Sequence, residues 1–177
     1  MPCVRSASDY RVAVLIRDAV PADLPEILTV HNAAIADTTA IWDEEQVGLA
    51  DRQAWFDQRT GAALPILTAE IDGRVAGYAS YGPFRPKSGY RHTVENSVYV
   101  ADGFHRRGVA TALMAELIER ARRGDVHAIV AGIESSNTTS IALHAKFGFT
   151  VVGVMPQVGV KFGRWLDLTW MQLLIEA

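Results

Sequence analysis

The stretch Thr93–Leu113, TVENSVYVADGFHRRGVATAL, changes character half-way along. Its first half alternates like a strand. Val94, Val98 and Val100 fall on one face, and Glu95, Ser97 and Tyr99 on the other. Its second half opens a helix that puts Ala110, Leu113, Met114, Leu117, Ile118 and Ala121 on one apolar stripe. Arg106, Arg107 and Gly108 stand at the junction. A helix that starts near Gly108 leaves its first amide groups without partners. HRRGVAT offers no Ser, Thr, Asp or Asn just before that start to cap them. An external anion satisfies such groups, helped by the helix dipole. Gly108 lets a phosphate approach the main chain, and the two arginines add positive charge. For these residues alone, the alternative is an ordinary turn with solvated arginines. No G-x-x-x-x-G-K-[ST] is present and no G-x-G-x-x-G follows a strand, so neither an ATP-type loop nor a dinucleotide fold is indicated.

Outward from this junction the chain reads as strand, two helices, a three-strand meander, helix, strand, helix and two strands. RVAVLIRDA is the first strand. Leu24, Ile27, Leu28, His31 and Ile35 recur at helical spacing, and LADRQAWFDQRTG is a second helix ending at Gly61. In LPILTAEIDGRVAGYASYGPF two β-rich runs flank Asp72-Gly73, a strong hairpin signal. HAIVAGIE is a continuous apolar strand of the kind buried inside a sheet. The helix crossover between the strand at Val98–Val100 and that at Ile129–Ile133 implies a parallel pair. NTTSIALHAKFGF is a short helix closed by Gly148, and VVGVM and WLDLTWMQLLI are the last strands. The expectation is an α/β (α+β) mixed sheet of about seven strands flanked by about four helices.

The bulk composition agrees with one domain, expected over residues 12–177, behind a flexible extension over 1–11. The chain has 177 residues, 49% hydrophobic and 21% charged, with a net charge of −3. A general nucleic-acid binder is usually basic, so no nucleic-acid partner is expected. No apolar run reaches membrane-spanning length, and the first residues make a poor signal peptide. The single cysteine, Cys3, forms no intrachain disulfide, which suits a reducing, cytoplasmic compartment. The five histidines show no metal-ligand spacing, and no metal is expected.

Two separated signatures make the chain recognisable. HRRGVA after a strand is similar to the [QR]-x-x-G-x-[GA] motif of the GCN5-related N-acetyltransferase (GNAT) superfamily, matched by Gly108 and Ala110, with His105 where Gln or Arg is usual. Asn137, His144, Gly148 and Phe149 match the superfamily's later Asn and [YH]-x-x-x-G-F pattern. FRPKSGYRHTVENSVYV, VGVKFGRWLDLTWMQL and HNAAIADTTAIWDEE resemble the phosphinothricin and methionine sulfoximine N-acetyltransferase group within it, and the likeness runs from about Val14 to Leu174.

The resemblance implies a GNAT fold, acetyl-CoA as cosubstrate, a small amino-acid acceptor and a homodimer. It implies that Glu95 is the base that takes a proton from the amine, directly or through water. An edge-strand carboxylate in solvent or a salt bridge is the plain alternative for that residue. It implies that His144 protonates the departing thiolate, where packing beside Phe147 is the alternative. The main chain of Val98, Tyr99 and Val100 would pair with the pantetheine arm as a strand does. Groups near Val98 would stabilise an oxyanion. Arg106, Arg107, Gly108, Val109, Ala110 and Thr111 would hold the diphosphate. Asn137 and Ser140 would hold the arm, although Asn137 also suits a helix N-cap. Phe84, Arg85 and Pro86 would bind the acceptor, with Arg85 as the bidentate partner of its carboxylate and Lys87 and Arg91 as weaker candidates. Lys161, Phe162 and Trp165, on a loop before the last strand, would join the dimer interface and pocket rim. Two rivals remain at this point: acetylation of a peptide N-terminus, polyamine or aminoglycoside, and a CoA-binding sensor that does no chemistry.

Overall fold

The computed structural model describes residues 13–175. The expected N-terminal extension and Cys3 lie outside the described residues. The strands are β1 (Leu15–Asp18), β2 (Ile66–Ile71), β3 (Arg74–Pro83), β4 (Thr93–Val100), β5 (Ala128–Glu134), β6 (Thr150–Lys161) and β7 (Arg164–Leu174). The helices are α1 (Leu24–Asp37), α2 (Leu49–Gly61), α3 (Val109–Arg123) and α4 (Thr138–Lys146). The seven strands form one sheet in the order β1-β2-β3-β4-β5-β7-β6.

Local chemistry sets the turns. Asp72 (φ 51°) and Gly73 (φ 75°) both take left-handed angles, as a two-residue hairpin between twisted strands requires. Phe162 (φ 51°) and Gly163 (φ 68°) repeat that geometry between β6 and β7. The expected loop around VGVKFGRW is therefore the end of a long strand, a tight turn and the start of the next strand. Gly61 is the last helical residue of α2, and the left-handed residue that follows is Ala63 (φ 54°).

Helices cover both faces of the sheet. Leu113, Met114, Leu117, Ile118 and Ala121 of α3 are almost fully buried against Leu67, Ala79, Val94 and Ile129 of the sheet. On the other face Leu24, Ile27 and Val30 of α1 and Phe56 of α2 pack on Ile66, Val75 and Tyr78. The alternation of β4 matches these two layers. Val94, Val98 and Val100 join the α3 side, while Tyr99 packs on the α1 side. The register with β3 runs without a break from Gly77↔Val100 to Pro83↔Val94, so no bulge disturbs the facing of Glu95 in that pair.

The expected parallel pair is present, and it is short, which leaves Val98–Val100 free of β5 as the resemblance implies. β4 and β5 pair only from Thr93↔Ala128 to Glu95↔Val130, and not at Val98–Val100. Beyond Glu95 the two strands splay. β5 continues beside β7, from Ala131↔Met171 to Glu134↔Leu168, while β4 stays with β3. The sheet thus opens in its middle, just past Glu95.

Candidate active site

The splayed strands wall a cleft of about 720 Å³. Val98, Tyr99 and Val100 line one side, Gly132 and Ile133 the other, and the start of α3 closes one end. That start is built as the sequence suggests. Gly108 is the N-cap with φ 83°, and no side chain caps the helix. Its carbonyl accepts the first intrahelical bond from Ala112 at 2.9 Å. The amides of Val109, Ala110 and Thr111 precede that bond and point out of the helix end. All three residues line the cleft, together with Gly108 and Arg106. Arg107 is not among the lining residues; its guanidinium stacks 5.3 Å from the centre of the ring of Phe104, which does line the cleft.

Asn137 and Ser140 line the cleft from α4. Asn137 caps that helix, its Oδ1 accepting from the Ser140 amide at 3.0 Å. The N-cap role therefore uses the oxygen and leaves Nδ2 for a ligand.

His144 also lines the cleft, in a geometry unlike that of a proton donor. Its Nδ1 lies 2.8 Å from the Ser140 carbonyl oxygen, which can only accept. Its Nε2 lies 3.0 Å from Nδ2 of Asn96, which can only donate. The neutral ring therefore carries its proton on Nδ1, and Nε2 is occupied as an acceptor. Burial lowers its pKa, partly opposed by the bond to Ser140. The ring packs edge-on to Phe149, 5.0 Å between centres, rather than beside Phe147 as the alternative reading had it.

Glu95 stands where the cleft meets a second, smaller cavity of about 70 Å³, and it lines both. Gly132 makes room for it, since a Cβ there would lie 3.3 Å from Glu95 Oε1 and 3.2 Å from Trp170. Burial raises the pKa of Glu95, and the nearby Arg85 opposes that shift. A carboxylate so placed is a better base than one in water. Arg85 lies 4.3 Å over the Phe84 ring and 6.0 Å from that of Trp170, and Phe84 meets Trp170 edge-on. Pro86 is exposed on the same loop.

The small cavity holds residues that the sequence reading missed. His31 comes from α1, Arg52, Trp55 and Arg59 from α2, and Tyr78 and Ser80 from β3. Tyr78 donates its hydroxyl to His31 Nδ1 at 2.8 Å, with the ring neutral because burial and Arg52 lower its pKa to about 4. One signal in the sequence was available. Arg52, Trp55, Phe56 and Arg59 recur at i, i+3, i+4 and i+7, so two arginines share the inward face of α2 with aromatic residues.

Comparison with known proteins decides the family. The model of the acetyltransferase (GNAT) family matches residues 27–149. The chain belongs to that family. It is an N-acetyltransferase of the phosphinothricin and methionine sulfoximine group. It is 56% identical over 162 residues to the L-methionine sulfoximine/L-methionine sulfone acetyltransferase of Pseudomonas paraeruginosa, covering 91% of this chain and 94% of that one. A crystal structure of ribosomal-protein-alanine N-acetyltransferase from Brucella melitensis is 52% identical, with TM-score 0.89 over 90% of this chain and 99% of that one. The structure of yncA from Salmonella typhimurium with its cofactor acetyl-CoA is 47% identical, with TM-score 0.91 over 93% and 95% of the two chains. Among the described residues, no group of three or more His, Cys, Asp or Glu side chains gathers to hold a metal, and no helix is long and apolar enough to cross a membrane.

Proposed function

We propose that this acetyltransferase modifies the α-amino group of small amino acids whose side chain bears oxidised sulfur or phosphorus, such as methionine sulfoximine, methionine sulfone or phosphinothricin. The observation that carries this reading is the position of Glu95 at the junction of a large cleft and a small polar cavity. The large cleft suits acetyl-CoA, which supplies the acetyl group as a thioester. The first-turn amides of α3 and Arg106 hold its diphosphate, the open edge of β4 at Val98–Val100 meets its arm, and Asn137 Nδ2 and Ser140 hold the arm's far side. Glu95 takes a proton from the acceptor's ammonium group, leaving a neutral nitrogen lone pair to attack. Arg85 binds the acceptor's carboxylate against the Phe84 and Trp170 rings. His144 holds Asn96 and the wall of the cleft in place. Protonation of the departing thiolate is left to solvent, because His144 has no free N–H to give. A cavity of only about 70 Å³ beside Glu95 also suits a compact amino-acid side chain better than a peptide chain.

An acceptor panel with acetyl-CoA tests the substrate. Methionine sulfoximine, methionine sulfone and phosphinothricin should be acetylated with kcat/KM of at least about 10⁴ M⁻¹s⁻¹, the lower end of ordinary enzyme efficiency. Turnover confined to an alanine-terminated peptide or a polyamine would overturn the assignment. Absence of any turnover, with acetyl-CoA still bound, would favour the sensor.

The same reading includes a homodimer and a cytoplasmic setting. β6 is the edge of the sheet, and Val151, Val152, Val154, Met155, Val158 and Val160 are all exposed on it. So long an apolar edge invites a partner, and a second copy supplies a matching one. Phe162 and Trp165, 53% and 66% exposed, extend that surface. Lys161 turns inward instead, its Nζ donating to the carbonyls of Ile35 and Ile41. Sedimentation should show a dimer that Val154→Asp converts to a monomer. A wild-type chain that sediments as a monomer at micromolar concentration would exclude the interface.

A further inference from the structure

Most of the polar groups around the small cavity already have partners, inside it or just behind it. Tyr78 bonds to His31, and Ser80 Oγ donates to the Pro65 carbonyl at 2.8 Å. Arg52 donates through Nε and Nη2 to Asp51 Oδ1, at 3.0 and 2.6 Å. Arg59 differs. Its Nε is fully buried without a partner, and among the described residues no carboxylate lies within ion-pair distance of it. A buried, unsatisfied donor on a charged group is costly and calls for an explanation.

The position of Arg59 follows from Gly82. Gly82 pairs directly with Glu95 across β3 and β4. Residues so paired point to the same face, with their Cβ positions about 5 Å apart. A Cβ at Gly82 would lie 2.0–2.3 Å from the guanidinium atoms of Arg59. The guanidinium therefore occupies the space a side chain would fill at position 82, on the Glu95 face of the sheet. Arg59 and Glu95 both line the cavity, with no ion pair between them. The space of about 70 Å³ holds several water molecules, or one compact polar head group.

We propose that Arg59 is the specificity-determining residue of the acceptor pocket, donating its guanidinium N–H groups to oxygen atoms on tetrahedral sulfur or phosphorus in the acceptor side chain. This rests on the acceptor class proposed above and adds the group that reads it. Arg85 takes the carboxylate end and Arg59 the distal end, which leaves the amine between them at Glu95. A planar guanidinium suits two oxygens on one centre, and a neutral sulfone and an anionic phosphinate both present that pattern. Burial, and after it repulsion from Arg52, disfavours the charged guanidinium and strengthens the demand for an acceptor of hydrogen bonds at this point.

The test compares methionine sulfone with methionine, which has the same skeleton without the two oxygens. Arg59→Met should lower the ratio of their kcat/KM values by about 10- to 100-fold, the range for losing hydrogen bonds from a charged group. Acetyl-CoA affinity, measured in parallel, reports that the variant is folded. Arg59→Lys should lower the same ratio less, and should retain more activity on anionic phosphinothricin than on the neutral sulfone. It also serves where the Met variant does not fold. An unchanged ratio in a folded variant removes Arg59 from specificity while leaving the acceptor class standing. Failure of the wild-type enzyme on all oxidised acceptors overturns the class itself, and Arg59 with it.

Discussion

Glu95→Gln should lower kcat by about 10²- to 10⁴-fold, the usual contribution of a positioned general base. The amide keeps the shape and the place between the two cavities, but it cannot take a proton. The pH profile makes the assignment specific. The base works ionised, so wild-type activity is present above its pKa in the fold and is lost as pH falls through it. Burial raises that pKa, with Arg85 opposing, so the acid limb should lie above the ordinary carboxylate value of about 4.3. The limb should vanish in Glu95→Gln. Stability should move the other way. A folded pKa above the unfolded one means the fold prefers the protonated form, so at neutral pH the ionised carboxylate costs stability. The Gln variant should therefore unfold at the same temperature as wild type or a higher one. Unchanged turnover and an unchanged acid limb would show that some other group removes the proton.

Gly108→Glu should weaken acetyl-CoA binding by at least about 100-fold while leaving the chain folded. A Cβ at this position meets nothing within 4 Å beyond its chain neighbours, so the side chain starts out in open space. Its backbone penalty comes from φ 83°, an angle that costs a non-glycine residue about 1–2 kcal/mol. A carboxylate at a helix N-terminus returns about 0.3–1 kcal/mol of that. Toward a diphosphate the same carboxylate is repulsive by about 3–4 kcal/mol at 4–6 Å in a partly screened site. Calorimetry with acetyl-CoA and a thermal melt separate the two effects. Gly108→Ala carries the strain without the charge and should lose much less affinity. Full affinity in the Glu variant would place the diphosphate away from this helix end.

The sequence reveals the features whose causes are local. Asp72-Gly73 announces its hairpin because only a few residue types accept two successive left-handed angles. The α3 stripe and the uncapped turn at Gly108 are visible because period and capping chemistry act over a few residues. The family signatures add roles for Glu95 and Asn137 that local physics alone leaves open. What escapes depends on distant partners. His144 looks free to donate a proton until Asn96, 48 residues away, is seen to occupy its Nε2. Arg59 looks like a solvated arginine until β3 brings a glycine beneath it. VGVKFGRW looks like a loop because Phe162 is an unusual residue for a tight turn. The exposure of β6 is likewise invisible, since an apolar run such as TVVGVM reads the same at an edge as in a sheet's interior.

The short union of β4 and β5 has a mechanical meaning. Three residue pairs, Thr93–Glu95 with Ala128–Val130, join the halves of the sheet. The sheet is thus two leaves on a narrow spine, backed by α3, with Glu95 at the spine's end. Whatever spans the gap fastens one leaf to the other. The cosubstrate is then a clasp as well as a reagent, and by mass action its binding makes the whole chain harder to melt.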